Sequence, residues 1–225
     1  ITMSKLDSIK LADYTRTEDW INSISHMVGG GLSVLATLLC IYKAFKAWSW
    51  QYLIAALIYG LTMIAMYTCS AVYHALRPNN GKKAMRMVDH SMIYLMIAGT
   101  ITPFAWLVIM PVNFKAGVAV LAVAWVTVVI AMFMTFFLFN TTKTIQMILY
   151  LALGWMIIVC VRILWNCIDH RAVYLLVSGG IAYTLGAILY GIGAKKKYFH
   201  SVFHFFVLAG SILHFFSLFL YVFTV

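Results

Sequence analysis

Residues 115–138, KAGVAVLAVAWVTVVIAMFMTFFL, contain no charged side chain after Lys115. A helix of this length can cross the roughly 30 Å hydrocarbon core of a bilayer at about 1.5 Å per residue. Six further stretches have the same apolar character and lie at residues 21–42, 51–75, 87–109, 144–165, 171–193 and 198–224. The sequence therefore predicts an all-α integral membrane protein, folded as a bundle of seven transmembrane helices.

The composition agrees with this class. Hydrophobic residues make up 64% of the chain and charged residues 10%, and the mean hydropathy is +0.95, which excludes an ordinary soluble domain. The connections between the apolar stretches are short, so we expect a polar N-terminal segment at 1–17 and a single seven-helix domain at 18–225. No cleavable signal sequence is expected, because residues 1–17 are polar and of mixed charge.

The basic residues are distributed unequally between the two predicted sides of the membrane. Eleven share a side with the N-terminus: Lys5, Lys10, Arg16, Arg77, Lys82, Lys83, Arg86, Lys143, Lys195, Lys196 and Lys197. Five fall on the other side: Lys43, Lys46, Lys115, Arg162 and Arg171. The positive-inside bias predicts a cytoplasmic N-terminus and an external C-terminus. The net charge of +10 is then explained by topology and anionic lipid contact, and no nucleic-acid partner is expected.

Polar and ionisable side chains collect at one end of the predicted bundle. With the N-terminus in the cytoplasm, seven of them fall within about two helical turns of the cytoplasmic face: Asn22, His26, Ser70, His74, Asp89, His200 and His204. Ionisable side chains inside a membrane are costly and usually functional. Their common depth predicts a single site.

The residue types in this site favour metal binding. His200 and His204 are four apart and therefore share a helix face, and His74 offers a third imidazole. Three histidines are a typical ligand set for catalytic zinc, which keeps a fourth position for water. Asp89 is then expected to hold or deprotonate that water, and Ser70 to hydrogen-bond a ligand or the water. Imidazole also binds copper, nickel and iron, so the metal stays open among these.

A hydrogen-bond network is the alternative interpretation of the same cluster, because histidines within membranes often link helices in this way. His26 in particular can hydrogen-bond Asp89 or a loop carbonyl. His214 lies about 21 Å deeper than His200 at 1.5 Å per residue, outside the predicted site.

Cys160 and Cys167 both lie near the opposite face, and the sequence leaves open whether they form a disulfide.

Four motifs along the chain resemble those of the hemolysin III family. Residues 18–29, EDWINSISHMVG, are similar to its ExxxNxxxHxxG opening, and residues 70–74, SAVYH, to its SxxYH element. Residues 89–104, DHSMIYLMIAGTITPF, resemble its DHxxIY…AGTxTPF element, and residues 200–215 resemble its last span. The motifs occur in the family's order and cover the whole chain.

The resemblance implies a seven-helix fold shared with the progestin and adipoQ receptors, which include the adiponectin receptors, and more distantly with alkaline ceramidases. It implies zinc near the cytoplasmic face, bound by His74, His200 and His204. Asp89 and Ser70 correspond to residues around the zinc-bound water. A further set is typical of the family and is expected to line the site: Glu18, Asn22 and His26.

Three activities are compatible with this resemblance. The first is a zinc-dependent hydrolase of lipid amides of the ceramide type, which would influence membrane lipid composition. The second is a receptor or lipid sensor in which zinc is structural, and the third is a pore-forming hemolysin. The sequence argues against the third, because so apolar a chain has no soluble form from which to insert. We expect membrane lipids as partners and a multi-pass location in the bacterial inner membrane, whereas the oligomeric state stays open.

Overall fold

The computed structural model describes residue 6 and residues 8–139, 141–193 and 196–224. Within these residues, seven helices are long and apolar enough to cross a membrane, and no strand is present. They are α1 (Arg16–Lys46), α2 (Trp50–Ala75), α3 (Asn80–Val112), α4 (Phe114–Leu138), α5 (Thr144–Cys167), α6 (His170–Ile192) and α7 (Phe199–Tyr221). The predicted seven-helix bundle is confirmed.

Two helices begin more than one turn earlier than the apolar stretches predicted, because polar residues cap them. Thr15 and Glu18 form a capping box at the start of α1, in which each side chain accepts the other's backbone N–H. Asn79 caps α3 by accepting the backbone N–H of Lys82. The connection between the second and third apolar stretches is therefore helical from residue 80 onward. These added turns carry charged side chains that take part in the site described below.

The helices are arranged as a ring. Helix α1 packs on α2 and α7, α2 packs on α3, α3 packs on α4 and α5, and α6 packs on α5 and α7. Small residues allow close approach, since a Cβ added to Gly29 would overlap the ring of Tyr67. At the opposite end from the histidines, Lys43 of α1 donates to the carbonyl of Phe219 in α7 at 2.7 Å.

The outer surface of the ring is apolar, as a bilayer requires. Large hydrophobic side chains on every helix face outward, including Leu38, Val129, Ile148 and Phe205. Helix α3 continues through Pro103 into a π-helical turn at Phe104–Ile109, where the missing proline N–H disturbs the regular ladder.

Three further predictions concern the basic residues, the cysteines and the orientation of the bundle. Lys5 and Lys195, which entered the count of basic residues, lie outside the described residues. The four cysteines are all free, so Cys160 and Cys167 form no disulfide here. The orientation across the membrane stays a prediction from the distribution of Lys and Arg.

Candidate metal centre

Three imidazole rings converge at the end of the bundle that carries the N-terminus of α1. His74 ends α2, and His200 and His204 lie one turn apart at the start of α7. Nε2 of His200 lies 3.2 Å from Nε2 of His74 and 3.0 Å from Nε2 of His204. One ligand atom from each residue falls within 4.8 Å of the others. His74 and His204 are almost completely buried. The three predicted ligands are therefore brought together.

Two of the three separations between the nitrogens, 3.2 and 3.0 Å, are those of a small-cation site. Tetrahedral coordination with Zn–N bonds of 2.0–2.1 Å places neighbouring nitrogens about 3.3 Å apart. The group of ligand atoms within 4.8 Å of one another consists of the three histidines among the described residues. A tetrahedral ion held by them alone would keep a fourth position for water or a substrate. The residues can hold a metal ion, and the donor set suits zinc among several metals.

Asp19 fixes the tautomer of His74. Its Oδ1 lies 3.0 Å from Nδ1 of His74, and its Oδ2 accepts a hydrogen bond from Nζ of Lys82 at 2.6 Å. A carboxylate only accepts, so Nδ1 of His74 carries the proton and Nε2 presents a lone pair to the centre of the cluster. This is the carboxylate–histidine–metal arrangement that orients ligands in many metal sites.

His204 is held in the same way by the backbone of α1. Its imidazole hydrogen-bonds the carbonyl of Asn22, and its Nδ1 lies 3.4 Å from Oγ of Ser25. Nδ1 of His204 therefore carries the proton, and Nε2 also presents a lone pair to the cluster. The two lone pairs both face Nε2 of His200, at 3.2 and 3.0 Å, so a proton on that atom can satisfy one of them and a cation would satisfy both.

His200 has a different environment. Its Nδ1 is buried and has no hydrogen-bond partner among the described residues. The ring stacks on Tyr14 with centroids 4.8 Å apart and an angle of 15° between the planes. Burial raises the pKa of Tyr14 far above its ordinary value, so the phenol stays neutral. Tyr14 therefore covers the cluster as a neutral aromatic side chain.

Asp89 and Ser70 lie beside the cluster rather than within it. The hydroxyl of Ser70 is in hydrogen-bonding reach of the Asp89 carboxyl group, and both side chains line a cavity that His200 and His204 also line. Asp89 is close enough to His74 for a direct charge interaction. The predicted pair is thus positioned to contact a molecule at the open side of the three nitrogens.

This cavity has a volume of about 410 Å³ and runs from the histidines into the bundle. Its wall is mainly apolar and comes from every helix except α4. Because α4, α5 and α6 have almost no ionisable residues between their ends, the sequence predicts that they are scaffold. The structure shows that α5 and α6 supply much of this wall, with residues such as Tyr150, Trp155 and Tyr183. The shape and lining are those of a site for an apolar ligand with a polar group near the histidines.

The three family-typical residues of α1 have separate roles. Glu18 accepts the backbone N–H of Tyr198 at 2.6 Å and so ties the start of α1 to the start of α7. The amide nitrogen of Asn22 lies 3.5 Å from Nδ1 of His74. Only His26 lines the cavity, stacked on His204 with centroids 3.7 Å apart. Neither ring nitrogen of His26 has a hydrogen-bond partner among the described residues, so the expected bond to Asp89 or to a loop carbonyl does not form there.

Sequence reasoning missed Asp19, Lys82 and Tyr14. Asp19 had a usable signal, because it precedes Asn22 by three residues and His26 by seven and therefore shares their helix face. Lys82 lies in the predicted connection before α3, and nothing in the sequence pairs it with Asp19. Tyr14 precedes the first helix in a segment without periodicity.

The chain is similar to a known protein family and to two bacterial proteins. The family model described as Haemolysin-III related matches residues 14–215. Hemolysin-3 of Bacillus cereus is 32% identical over 205 residues, which cover 91% of this chain and 92% of that protein. The Hemolysin-3 homolog of Bacillus subtilis (strain 168) is 31% identical over 209 residues, 92% of this chain and 96% of that protein.

The predicted resemblance is thus confirmed over nearly the whole sequence. The seven membrane-crossing helices and the bacterial relatives support a multi-pass protein of the bacterial plasma membrane. The chain belongs to the haemolysin-III-related family.

Proposed function

We propose that this protein is a zinc-dependent hydrolase of lipid amides of the ceramide type that acts within the membrane. The observation that carries the proposal is the convergence of three imidazole nitrogens, 3.0 and 3.2 Å apart, at one end of an apolar cavity that Asp89 also lines. His74, His200 and His204 would hold the ion. A bound zinc ion would polarise a carbonyl group and lower the pKa of a water molecule to about 7.

Asp89 acts as the general base in this proposal. It takes a proton from the water that adds to the amide carbonyl and returns it to the leaving amine as the C–N bond breaks, which gives a fatty acid and an amine. Ser70 hydrogen-bonds the carboxyl group and orients it. His26 lines the cavity beside His204 and contacts the polar part of the lipid.

The apolar cavity supports a lipid as the substrate. The hydrocarbon chain extends between α3, α5, α6 and α7, while the carbonyl lies at the histidines. The cavity also excludes bulk water, which strengthens electrostatic interactions around the reacting group. The distribution of Lys and Arg predicts that this end of the bundle lies at the cytoplasmic face.

The test is an Asp89→Asn variant, assayed for metal content and for hydrolysis of a panel of lipid amides by mass spectrometry. We expect the metal to stay and turnover to fall at least about a hundredfold, as for other general bases. Asp169→Asn is the matched control, because Asp169 caps α6 at the other end of the bundle. Unchanged turnover in Asp89→Asn would exclude Asp89 as the base.

A receptor or lipid sensor with structural zinc is the second candidate. The contacts of Asp19 with His74 of α2 and Lys82 of α3 favour it, as does the contact of Glu18 with Tyr198 at the start of α7. Through these contacts an ion would fasten four helices together. This candidate predicts that removal of the metal lowers the melting temperature sharply and that no lipid is cleaved under any condition.

The relatives are named Hemolysin-3, and direct pore formation is the third candidate. The apolar exterior argues against a toxin that must first dissolve in water. Lysis on overexpression would then follow from altered membrane lipids. Purified protein in dye-loaded liposomes tests this, because leakage that persists in a His200→Ala/His204→Ala variant would support a pore.

A further inference from the structure

Polar side chains lie at the end of the cavity that is remote from the candidate metal centre. His204 and His214 both line the cavity and lie ten residues apart on α7. At 1.5 Å per residue they are separated by about 15 Å along the helix axis. A ligand held at the three histidines can therefore approach His214 only with an extended chain.

The tautomer of His214 is fixed by the neighbouring helix. Its Nε2 lies 3.0 Å from the carbonyl oxygen of Leu176 in α6. A carbonyl oxygen only accepts, so Nε2 carries the proton and Nδ1 carries the lone pair. The ring fits here because residue 179 is glycine, where an added Cβ would overlap the imidazole. His214 thus presents a hydrogen-bond acceptor on a ring that forms part of the cavity wall.

The neighbouring hydroxyl groups are already paired with one another. Tyr67 donates to Oγ of Ser211 at 2.7 Å, and the hydroxyl of Tyr183 lies 2.7 Å from the same oxygen. The indole of Trp155 donates to Thr184 at 2.9 Å. Among the described residues, none donates a hydrogen bond to Nδ1 of His214, whose ring bonds only through Nε2. A polar atom inside a membrane protein is costly without a partner, so we expect a ligand to supply the donor.

We infer that the deep end of this cavity recognises a hydroxyl group on the hydrocarbon chain of the ligand, which donates a hydrogen bond to Nδ1 of His214. The ligand class is a long acyl chain with a mid-chain hydroxyl, and the inference rests on the proposed function in placing the carbonyl of that chain at the three histidines. An extended chain with C–C bonds of about 1.5 Å advances about 1.25 Å per carbon, so 15 Å corresponds to about 12 carbons.

The alternative is that His214 serves only to hold α6 against α7 through the carbonyl of Leu176. A purely structural histidine affects thermal stability but gives no preference among ligands of equal chain length. The two roles are therefore separated by a binding measurement that compares hydroxylated with unsubstituted chains.

The test is displacement of a fluorescent fatty acid from the full-length protein in detergent by three free acids of equal length: stearic, 3-hydroxystearic and 12-hydroxystearic acid. Free acids contain no amide bond, so binding is measured without turnover. We expect 12-hydroxystearic acid to bind about tenfold more tightly than stearic acid, the effect of one well-formed buried hydrogen bond. 3-Hydroxystearic acid should show no such gain.

Two variants of one residue identify the acceptor. His214→Phe keeps a ring of similar size and should bring the ratio of the two affinities to about one. His214→Asn places an amide oxygen near the position of Nδ1 and should retain much of the preference. If His214→Phe does not fold, His214→Asn and the comparison of hydroxyl positions in the wild type still decide the question.

Equal binding of stearic and 12-hydroxystearic acid by the wild type, or a preference that survives in His214→Phe, would overturn the inference and leave the proposed function intact. If none of the three acids displaces the probe, the cavity is not an acyl-chain site. That outcome would overturn both the inference and the lipid substrate of the proposed function.

Discussion

At the scale of single residues, Asp19 favours a metal site over a chance meeting of histidines. It contacts Nδ1 of His74 at 3.0 Å and balances the buried ammonium of Lys82. A buried carboxylate in this position fixes the orientation of the imidazole and holds Nε2 toward the other two histidines. The sequence motif contains Asp19, but only the lateral packing of α1 on α2 and α3 assigns it this role.

Replacement of Asp19 by asparagine should weaken metal binding by about 10- to 100-fold, the usual effect of losing a carboxylate behind a histidine ligand. Asparagine keeps an acceptor for His74 but removes the negative charge. The affinity can be measured by competition with a chromophoric chelator, with Asp169→Asn as the control. Equal affinities in the two variants would show that Asp19 does not support a metal ligand.

Acid should release the metal. Imidazole binds a metal only when neutral, so protons compete with the ion and the metal content should fall with decreasing pH. Metal content after dialysis at a series of pH values measures this, with the fold followed by circular dichroism. A metal content that stays constant until the protein unfolds would argue that the ligands are not the three histidines.

At the scale of helices, Glu18 joins two elements at the same point. It completes the capping box of α1 and accepts the backbone N–H of Tyr198, which precedes α7 in a left-handed conformation with φ 65°. The resemblance grouped it with the site-lining residues, yet its contacts are with backbone and with Thr15. Glu18 therefore positions the helix that carries His200 and His204.

Glu18→Ala should lower stability by more than Thr15→Ala, which disturbs the cap alone. Loss of a cap costs about 1 kcal/mol, and Glu18→Ala additionally leaves the Tyr198 N–H without its acceptor. Thermal unfolding followed by circular dichroism in detergent compares the two variants. Similar melting temperatures would show that the contact with α7 adds nothing to stability.

The contact between α1 and α2 depends on one of three consecutive glycines. A Cβ at position 29 would overlap the ring of Tyr67, whereas a Cβ at position 31 would meet nothing within 4 Å. We expect Gly29→Ala to lower the melting temperature by several degrees and Gly31→Ala to leave it unchanged or raise it, because alanine favours helix by up to about 1 kcal/mol over glycine. Equal effects of the two substitutions would contradict the packing of α1 on α2.

At the scale of the whole molecule, the sequence predicted what depends on position along each helix. Apolar length predicted the seven helices, and the alternation of helix direction placed His74 at the same end as His200 and His204. It did not predict the cavity, because the wall depends on which helices are neighbours in the ring. Helices α5 and α6 have few ionisable residues and were expected to be scaffold, yet their aromatic and small residues form much of the cavity. The depth of His214 along α7 puts it outside the predicted site, and that same depth places it at the far end of the cavity.

The account depends most directly on a metal ion at the three histidines. Metal content by mass spectrometry should be compared between the wild type, a His200→Ala/His204→Ala variant and a control, His170→Ala, in which the replaced histidine lies at the opposite end of the bundle. The account predicts one ion per chain, most readily zinc, in the wild type and the control, and none in the ligand variant. A folded wild type without metal, or equal metal in all three proteins, would contradict it and leave the cluster as a network of hydrogen bonds.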